Sequence, residues 1–246
     1  MNPLEVVHDA ARALPGVEGD FSSTVNLLIV LTVLSLAPAI LILCTSFLRI
    51  VVVLALLRQA IGTQSLPPSQ VIVGLAMFMT FLVMAPTFTQ IHERAIRPLS
   101  AGQIDYTAAW AEARDPLRGF MFDQIDRNDN WGDVYAVLNY RGVDTSRPET
   151  LTRRDVDMLT LIPAFILSEL KTAFLIGFRV YLPFLVIDMV VAGVLVSMGM
   201  LMLPPVLISL PFKLLLFVMV DGWRLIAGSL LDGFAVALPA AAGVAL

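Results

Sequence analysis

The sequence predicts an all-α protein built from long, kinked helical hairpins with a small helical polar insert. Apolar residues make up 58% of its 246 positions and charged residues only 15%, against roughly 45–50% and 25% in soluble domains. Mean hydropathy is +0.83. The charged residues are also unevenly placed. Of the 36 charged residues (16 basic and 20 acidic), 21 lie in the segment 92–158. These observations predict a membrane-type chain with one polar insert.

The composition excludes several kinds of site. Cys44 is the only cysteine, so an internal disulfide and a cysteine metal cluster are excluded. His8 and His92 lie far apart in dissimilar contexts, which argues against a histidine metal site. A net charge of −4 provides no basic surface for nucleic acid. The sequence therefore predicts no metal, no cofactor and no nucleic-acid partner.

An enzyme and a small-solute transporter are both poorly supported. Asp123 and Asp126 could share a helix face, but an insert rich in acids produces such pairs by chance, and no nucleophile–base arrangement or phosphate-binding glycine loop is present. Asp188 and Asp221 could bind a cation in a transporter. The apolar segments are too few to enclose a pathway in one chain, however, and they show no inverted repeat. We therefore predict no catalytic residue and no enzymatic activity.

Charge and helix breakers divide the chain into four regions. Each apolar region is long enough for a helical hairpin, and the regions alternate with polar ones. They are an N-terminal arm (1–24), a first apolar hairpin (25–91), a polar extracytoplasmic insert (92–158) and a second apolar hairpin (159–246).

The first hairpin is predicted from two runs without charge, 21–48 and 59–91. We expect a helix at about 25–48, kinked at Pro38, then a connection ending at Pro68 and a helix at about 69–91. Arg49 and Arg58 fall in the expected connection, and basic residues beside an apolar span favour the cytoplasmic side. This places the N-terminus and the insert outside.

The insert is expected to hold short helices separated by turns. The turn signals are Asp115-Pro116, Asn128-Asp129-Asn130 and Arg147-Pro148. Asp126, Asn128 and Asn130 have the spacing of the first calcium-loop ligands, but the sixth and twelfth positions lack the glycine and glutamate that such a loop requires. A solvated turn is the better interpretation.

The second hairpin contains eight single, spaced charges. Each would cost about 2.5–3.5 kcal/mol near the centre of a span in lipid, so these segments are expected to face protein or water. Identical copies of the chain are the simplest source of partners. A single bundle whose own helices pair the charges is the alternative. The charges are Glu169, Lys171, Arg179, Asp188, Lys213, Asp221, Arg224 and Asp232.

A bend is predicted between the two C-terminal apolar segments, in the sequence VSMGMLMLPP (196–205). Gly199 allows an unusual backbone conformation and the paired prolines interrupt a helix. Met198, Met200 and Met202 would not share one helix face, but in a loop they can converge. Methionine is flexible and polarisable, so a ring of such loops would form a deformable apolar closure. Ordinary gap-filling core methionines are the alternative.

These stretches together resemble the FliP family of flagellar export-gate proteins and, more distantly, the SctR family of virulence-associated type III secretion. With their flanks they cover about 25–90 and 159–232. The segment 60–68, AIGTQSLPP, looks more like the flagellar version, and the injectisome subunit is the alternative. The stretches are LAPAILILCTSFLRI (36–50), LLRQAIGTQSLPPSQ (56–70), IPAFILSELKTAF (162–174) and PFLVID (183–188), continuing through SMGM (197–200) to PFKLLLF (211–217).

The resemblance implies a function. FliP-like subunits assemble in several copies with FliQ and FliR into a helical, multi-subunit gate, and unfolded flagellar subunits pass through it during flagellum assembly. Other export-apparatus membrane proteins are further expected partners. The implied location is the bacterial inner membrane at the flagellar basal body, largely on the periplasmic side, so that four membrane spans would be a nominal topology only.

The resemblance also implies site residues. The family's methionine-rich gasket around the channel matches Met198, Gly199, Met200 and Met202. Glu169 and Lys213 match charged positions that the family uses between neighbouring subunits, where pairing would neutralise both. Asp188 matches another retained acid, and with Lys171 it is expected to be a buried polar residue.

Overall fold

The computed structural model describes residues 28, 31, 32, 35, 42–63, 66–146, 151–200 and 202–234. The chain forms two compact units, Met1–Ile42 and Leu43–Leu246. In the first unit the described residues are helical, and the Thr32 hydroxyl donates to the Leu28 carbonyl at 2.7 Å. The predicted arm (1–24), most of the predicted helix 25–48 and its kink at Pro38 lie outside the described residues.

The second unit is helical, and no strand occurs among the residues listed above, which confirms the all-α prediction. The helices are α1 (Phe47–Ile61), α2 (Ser69–Ile91), a π-helical turn (His92–Ile96), α3 (Arg97–Ser100), α4 (Tyr106–Arg127), α5 (Trp131–Tyr140), α6 (Met158–Ser197), α7 (Pro205–Met219) and α8 (Gly222–Phe234).

Helix α1 is the central element of this unit and contacts α2, α6 and α7. Its apolar residues Ile50, Val53 and Leu57 recur at helical spacing and are fully buried. The prediction of a connection after residue 48 is therefore wrong for 49–61. That prediction treated Arg49 as the end of an apolar span, whereas Arg49 is neutralised inside the protein and the helix continues past it.

Helix α2 confirms the predicted helix at 69–91. It does not end there, because the π-helical turn and α3 continue it to form one helical stretch, Ser69–Ser100, which contains a long apolar window. In the described chain, this stretch and α6 are long and apolar enough to cross a membrane. The pair α7 and α8, which is bent by 61°, provides a third span if it counts as one. The structure is thus compatible with insertion into a membrane.

The insert contributes to the same core as the apolar helices. Phe120, Met121 and Ile125 of α4 are buried together with residues of α1 and α6. The prediction that Asp115-Pro116 marks a turn is wrong, because Pro116 is buried inside α4 and the core contacts that follow it hold the helix together. The turn at 128–130 is confirmed, whereas Arg147-Pro148 lies outside the described residues.

Helix α6 has 40 residues and is about 60 Å long at 1.5 Å per residue. Pro163 and Pro183 lie inside it. At its middle it approaches α1 closely, because a Cβ atom added to Gly177 would lie 3.1 Å from the Leu56 Cβ and 2.2 Å from the Leu56 Cδ1. Only glycine allows this separation of the two helices without displacing Leu56.

Substituting Gly177 by alanine should therefore destabilise the chain, since overpacking a close contact costs about 1–3 kcal/mol. We expect a lower thermal unfolding midpoint in detergent for Gly177→Ala. Gly193→Ala is the matched control, because Gly193 lies on the same helix and an added Cβ meets nothing within 4 Å there. An equal effect of the two substitutions would contradict the close contact.

The N-terminus of α6 should make stability depend on pH. Burial raises the pKa of Asp157, but hydrogen bonds from Thr160 and Arg141 outweigh it and hold this pKa below its usual value of 3.8. The charged carboxylate therefore stabilises the fold at pH values above its usual pKa of 3.8. The stabilisation is lost as the pH falls through the lowered pKa of the folded protein. Wild type should be more stable than Asp157→Asn at about pH 6, and the difference should shrink below about pH 4. Thermal unfolding at several pH values measures this, and a difference independent of pH would contradict it.

Candidate functional site

A buried ion pair joins α1 to α6. The Arg49 guanidinium is bidentate on the Glu169 carboxylate, with Nε donating to Oε2 at 2.8 Å and Nη2 donating to Oε1. Only 1% of the Arg49 side chain and none of the Glu169 side chain is exposed. Because both charges are removed from water, each depends on the other for its stability in the interior.

Two more helices contact the same guanidinium. Arg49 Nη2 also donates to Gln124 Oε1 of α4 at 3.3 Å, and the ring of Phe234 at the end of α8 lies 4.0 Å from the guanidinium carbon in a cation–π contact. The Gln124 side chain is fully buried. Arg49 therefore connects α1, α4, α6 and α8.

A second ion pair joins α6 to α7, and of its two residues Lys213 is buried whereas Asp188, which was expected to be buried, is half-buried. Lys213 Nζ lies 2.6 Å from Asp188 Oδ2 and also donates to the Ala60 carbonyl near the end of α1 at 3.2 Å. The Ser209 hydroxyl donates to the other carboxylate oxygen of Asp188. Lys213 is buried, whereas Asp188 is 25% exposed. The two pairs thus hold opposite ends of α1.

Glu169 and Lys213 do not pair with each other inside one chain. Their contacts on α1, at Arg49 and Ala60, are eleven residues and about 16 Å apart along the helix. Each charge has its own partner within the chain, as the single-bundle alternative expects. Whether Glu169 and Lys213 also approach each other between subunits is not tested by one chain, and that contact stays a prediction.

Lys171 was expected to be buried, and in the single chain this is wrong because the side chain is exposed. Its long aliphatic stem lets the ammonium group reach the turn before α5 from the surface. Lys171 Nζ donates to Asn130 Oδ1 at 2.7 Å, and Asn130 Nδ2 donates to the Ser168 hydroxyl at 2.9 Å. Asn130 is buried, so the expectation of a solvated turn is also wrong at this residue.

Sequence reasoning missed the role of Arg49. It interpreted the residue as a signal of membrane topology, although Arg49 is a lone charge surrounded by apolar residues and Glu169 is an acid in another apolar segment, with Lys171 two positions later. Charges of opposite sign in separate apolar stretches are a signal that a buried pair can form, but the sequence did not indicate which charges meet.

The methionine turn, residues 198–204, begins with a regular helix end. The N–H of Gly199 donates to the Val196 carbonyl at 3.0 Å and the N–H of Met200 donates to the Leu195 carbonyl at 2.9 Å. Gly199 has a φ of +76°. These features define a Schellman motif, in which glycine occupies the left-handed position. The predicted bend is confirmed.

The methionine side chains of the turn point away from the core. Met198, Met200 and Met202 are all exposed, and Met202 is 98% exposed. Leu201 lies outside the described residues. The turn ends at Pro204 and Pro205, and Pro205 is the first residue of α7, a position that tolerates proline because its N–H would have no helical partner. The backbone of the turn is thus anchored at both ends while its methionine side chains are exposed.

An apolar pocket of 660 Å³ lies beside this turn, between the C-terminal half of α6 and α7. Met198 and Met200 form part of its wall, and the remaining lining side chains are also apolar. They are Val186, Ile187, Val190, Val191, Val194, Leu195, Leu203, Ile208 and Phe212.

The outer faces of the long helices are also apolar. Phe78 on α2, Phe178 on α6 and Val218 on α7 are exposed together with many neighbours on the same faces. Monomeric soluble proteins rarely expose apolar surface on this scale, which is typical of membrane or protein contact. No group of three or more histidine, cysteine, aspartate or glutamate residues in the described part of the chain could hold a metal ion.

Breaking the Arg49 pair should destabilise the fold strongly. Glu169→Leu leaves the guanidinium buried and uncompensated, which costs about 3–5 kcal/mol. The double substitution Arg49→Met with Glu169→Leu removes both charges and should recover most of the loss. Thermal unfolding in detergent measures both effects. A double variant no more stable than Glu169→Leu alone would contradict the pairing.

Glu169 and Lys213 have different partners within the chain. In the monomer, Lys213→Glu should therefore not restore the stability that Glu169→Lys removes.

Comparison with known proteins agrees with this architecture over most of the chain. The model of the FliP family matches residues 30–230. The flagellar biosynthetic protein FliP of Bacillus subtilis (strain 168) is 54% identical over 213 residues, which is 87% of this chain and 93% of that protein. The protein of the same name from Caulobacter vibrioides is 52% identical over 210 residues, covering 85% and 76% of the two chains. That of Aquifex aeolicus is 43% identical over 217 residues, covering 88% of each. The family match covers both ion pairs and the methionine turn, and the chain therefore belongs to the FliP family.

Proposed function

We propose that the chain is a core subunit of the flagellar type III protein export gate. In this proposal several copies assemble with FliQ and FliR around a channel, and unfolded flagellar subunits are exported through it during flagellum assembly. The relatives are named as flagellar biosynthetic proteins, which favours the flagellar system over the virulence injectisome. The chain acts as a structural and transport component, with no catalytic step of its own.

The observation that carries the proposal is the exposure of the methionine turn. Its apolar side chains lie outside the core of their own chain, on a backbone that a Schellman motif and two prolines anchor. Such an arrangement does not stabilise the single chain. It fits a contact that forms only when several chains bring their turns together.

Methionine has the physical properties that a reversible seal needs. Its unbranched thioether side chain changes rotamer easily and fills irregular gaps. Several turns meeting at an axis would exclude water and ions while they are closed. They could separate around a passing polypeptide because the side chains, and not the anchored backbone, make the closure. Gly199 is required to place Met200 and Met202 beyond the helix end.

The length of α6 and the apolar outer faces of the helices support an assembly that lies largely above the membrane plane. Helix α6 is about 60 Å long, twice the roughly 30 Å of a hydrocarbon core. The two ion pairs leave apolar outer faces on α2, α6 and α7. We propose that FliQ, FliR and further copies of the chain cover much of this surface at the periplasmic side of the inner membrane, within the flagellar basal body, with other export-apparatus membrane proteins nearby.

Replacing Met198, Met200 and Met202 together by alanine tests the seal. We expect the complex to assemble in normal amount, because these three side chains are exposed and none of them belongs to the buried core. The closed gate should leak ions or small solutes, since three shortened side chains per copy leave an open path. Membrane conductance in cells that express the complete complex measures the leak, and native electrophoresis measures assembly.

Met77→Ala with Met219→Ala is the matched control. These methionines are also exposed, but they lie on α2 and at the far end of α7, away from the turn. The control should assemble and remain closed. A closed gate in the triple variant, at normal assembly, would exclude the methionine turn from the seal.

A further inference from the structure

The eight charges of the C-terminal helices are not all paired within the chain. Six have a charged or hydrogen-bonding partner within 4.0 Å. Among the residues that the structure describes, Arg179 and Asp232 have neither an ion pair nor a side-chain hydrogen bond. The partnered charges are Glu169 with Arg49, Lys171 with Asn130, Asp188 with Lys213, and Asp221 with Arg224.

Arg179 lies at the middle of α6, on the face opposite to the packed one. It is two residues beyond the buried Gly177, a rotation of about 200° around the helix. Its neighbours on the outer face are Leu175, Leu182 and Val186, one or two turns away, and all three are exposed. A guanidinium in this apolar setting is poorly solvated unless an anion or water reaches it.

Asp232 lies on the exposed face of α8. The residues three, four and seven positions before it, Ser229, Gly228 and Leu225, belong to the same face of the helix. They line a recess of 620 Å³ together with Asp232 and with Asp221 at the other end. Nothing lies within 4 Å of a Cβ atom added to Gly228, so the floor of the recess is open to an incoming side chain.

The two faces are complementary in charge and shape. The α6 face carries one cation between bulky apolar side chains. The α8 recess carries the small residues Gly228 and Ser229 between two acids, and Arg224 lines it beside Asp221. Asp221 already has the Arg224 guanidinium 4.0 Å away, so Asp232 is the acid available to another cation. A leucine beside Arg179 would fill the space above Gly228 when the two charges meet.

We propose that the α6 face around Arg179 docks on the α8 recess of a second copy of this chain, with Arg179 paired to Asp232 of that copy. The inference rests on the proposed function in one respect, namely that copies of the chain assemble. A second copy is the occupant because, among the described residues of the C-terminal helices, the unpaired cation Arg179 and the unpaired anion Asp232 lie on different helices. The contact joins unlike surfaces, so it repeats from copy to copy and generates a ring or a helical assembly.

Charge reversal tests the pair in the full-length chain, expressed in membranes with FliQ and FliR. Arg179→Glu and Asp232→Arg should each reduce the assembled fraction about tenfold or more, because each places like charges at the contact. The double variant should recover most of it. Arg94→Glu with Glu112→Arg is the matched control, since both residues are exposed but lie at other sites, and this variant should assemble normally.

Disulfide trapping tests the geometry without changing the charges. Cys44 is the only native cysteine and is buried, so the background is low. Gly228→Cys combined with Leu175→Cys or with Leu182→Cys should form a ladder of covalent dimers, trimers and larger species on oxidation. Which of the two combinations reacts reports the relative direction of the helices. Gly228→Cys with Phe78→Cys, on the exposed face of α2, should form no ladder.

The outcomes separate this inference from the proposed function. Recovery by the double charge variant, together with a ladder in either α6 combination, supports the contact. The contact is overturned if the wild-type chain assembles normally, the double charge variant shows no recovery and neither cysteine combination forms a ladder. That result leaves the export-gate proposal standing. A wild-type chain that stays monomeric with FliQ and FliR present overturns both.

Discussion

The buried ion pair between Arg49 and Glu169 is the interaction on which the rest of the structure depends. An exposed ion pair contributes about 0–1 kcal/mol, whereas breaking a buried one costs about 3–5 kcal/mol. Apolar packing alone is non-directional, and a bidentate pair is not. The pair therefore selects one register of α1 against α6, and Gln124 and Phe234 extend that register to α4 and α8. At the other end of α1, Lys213 of α7 donates to the Ala60 carbonyl and pairs with Asp188 of α6.

This internal neutralisation determines what the outside of the protein can be. Because Glu169 and Lys213, the buried charges of α6 and α7, are paired within the chain, the outer faces of α2, α6 and α7 can be almost wholly apolar. A surface of that kind is stable only against lipid or against other subunits. The remaining unpaired charges then stand out as exceptions, and in such a surface a charge indicates a partner rather than solvent.

The sequence predicted the elements whose signals are local. Helix α2, the long helix α6 and the bend at Gly199 follow from apolar run length, from spacing and from glycine and proline chemistry, and all three are present. It did not predict α1, because the pairing of Arg49 with a residue 120 positions away cannot be seen in a local window. For the same reason it placed Asn130 in solvent, and it treated Pro116 as a turn although tertiary contacts preserve α4 around it. The missed features all depend on contacts between distant segments.

The methionine turn is the place where stability and function separate. Burying a methionine side chain is worth about 1.5–3 kcal/mol, and the turn forgoes that gain at Met202, which is 98% exposed. A polar residue there would suit a solvated loop better, and a shorter connection would suit a rigid hairpin. The Schellman motif and the paired prolines instead anchor the backbone at the two ends of the turn, and methionine side chains change rotamer easily. In the gate proposed above, a fixed backbone with deformable apolar side chains would close against identical neighbours and reopen without unfolding, which neither a buried core nor a polar loop can do.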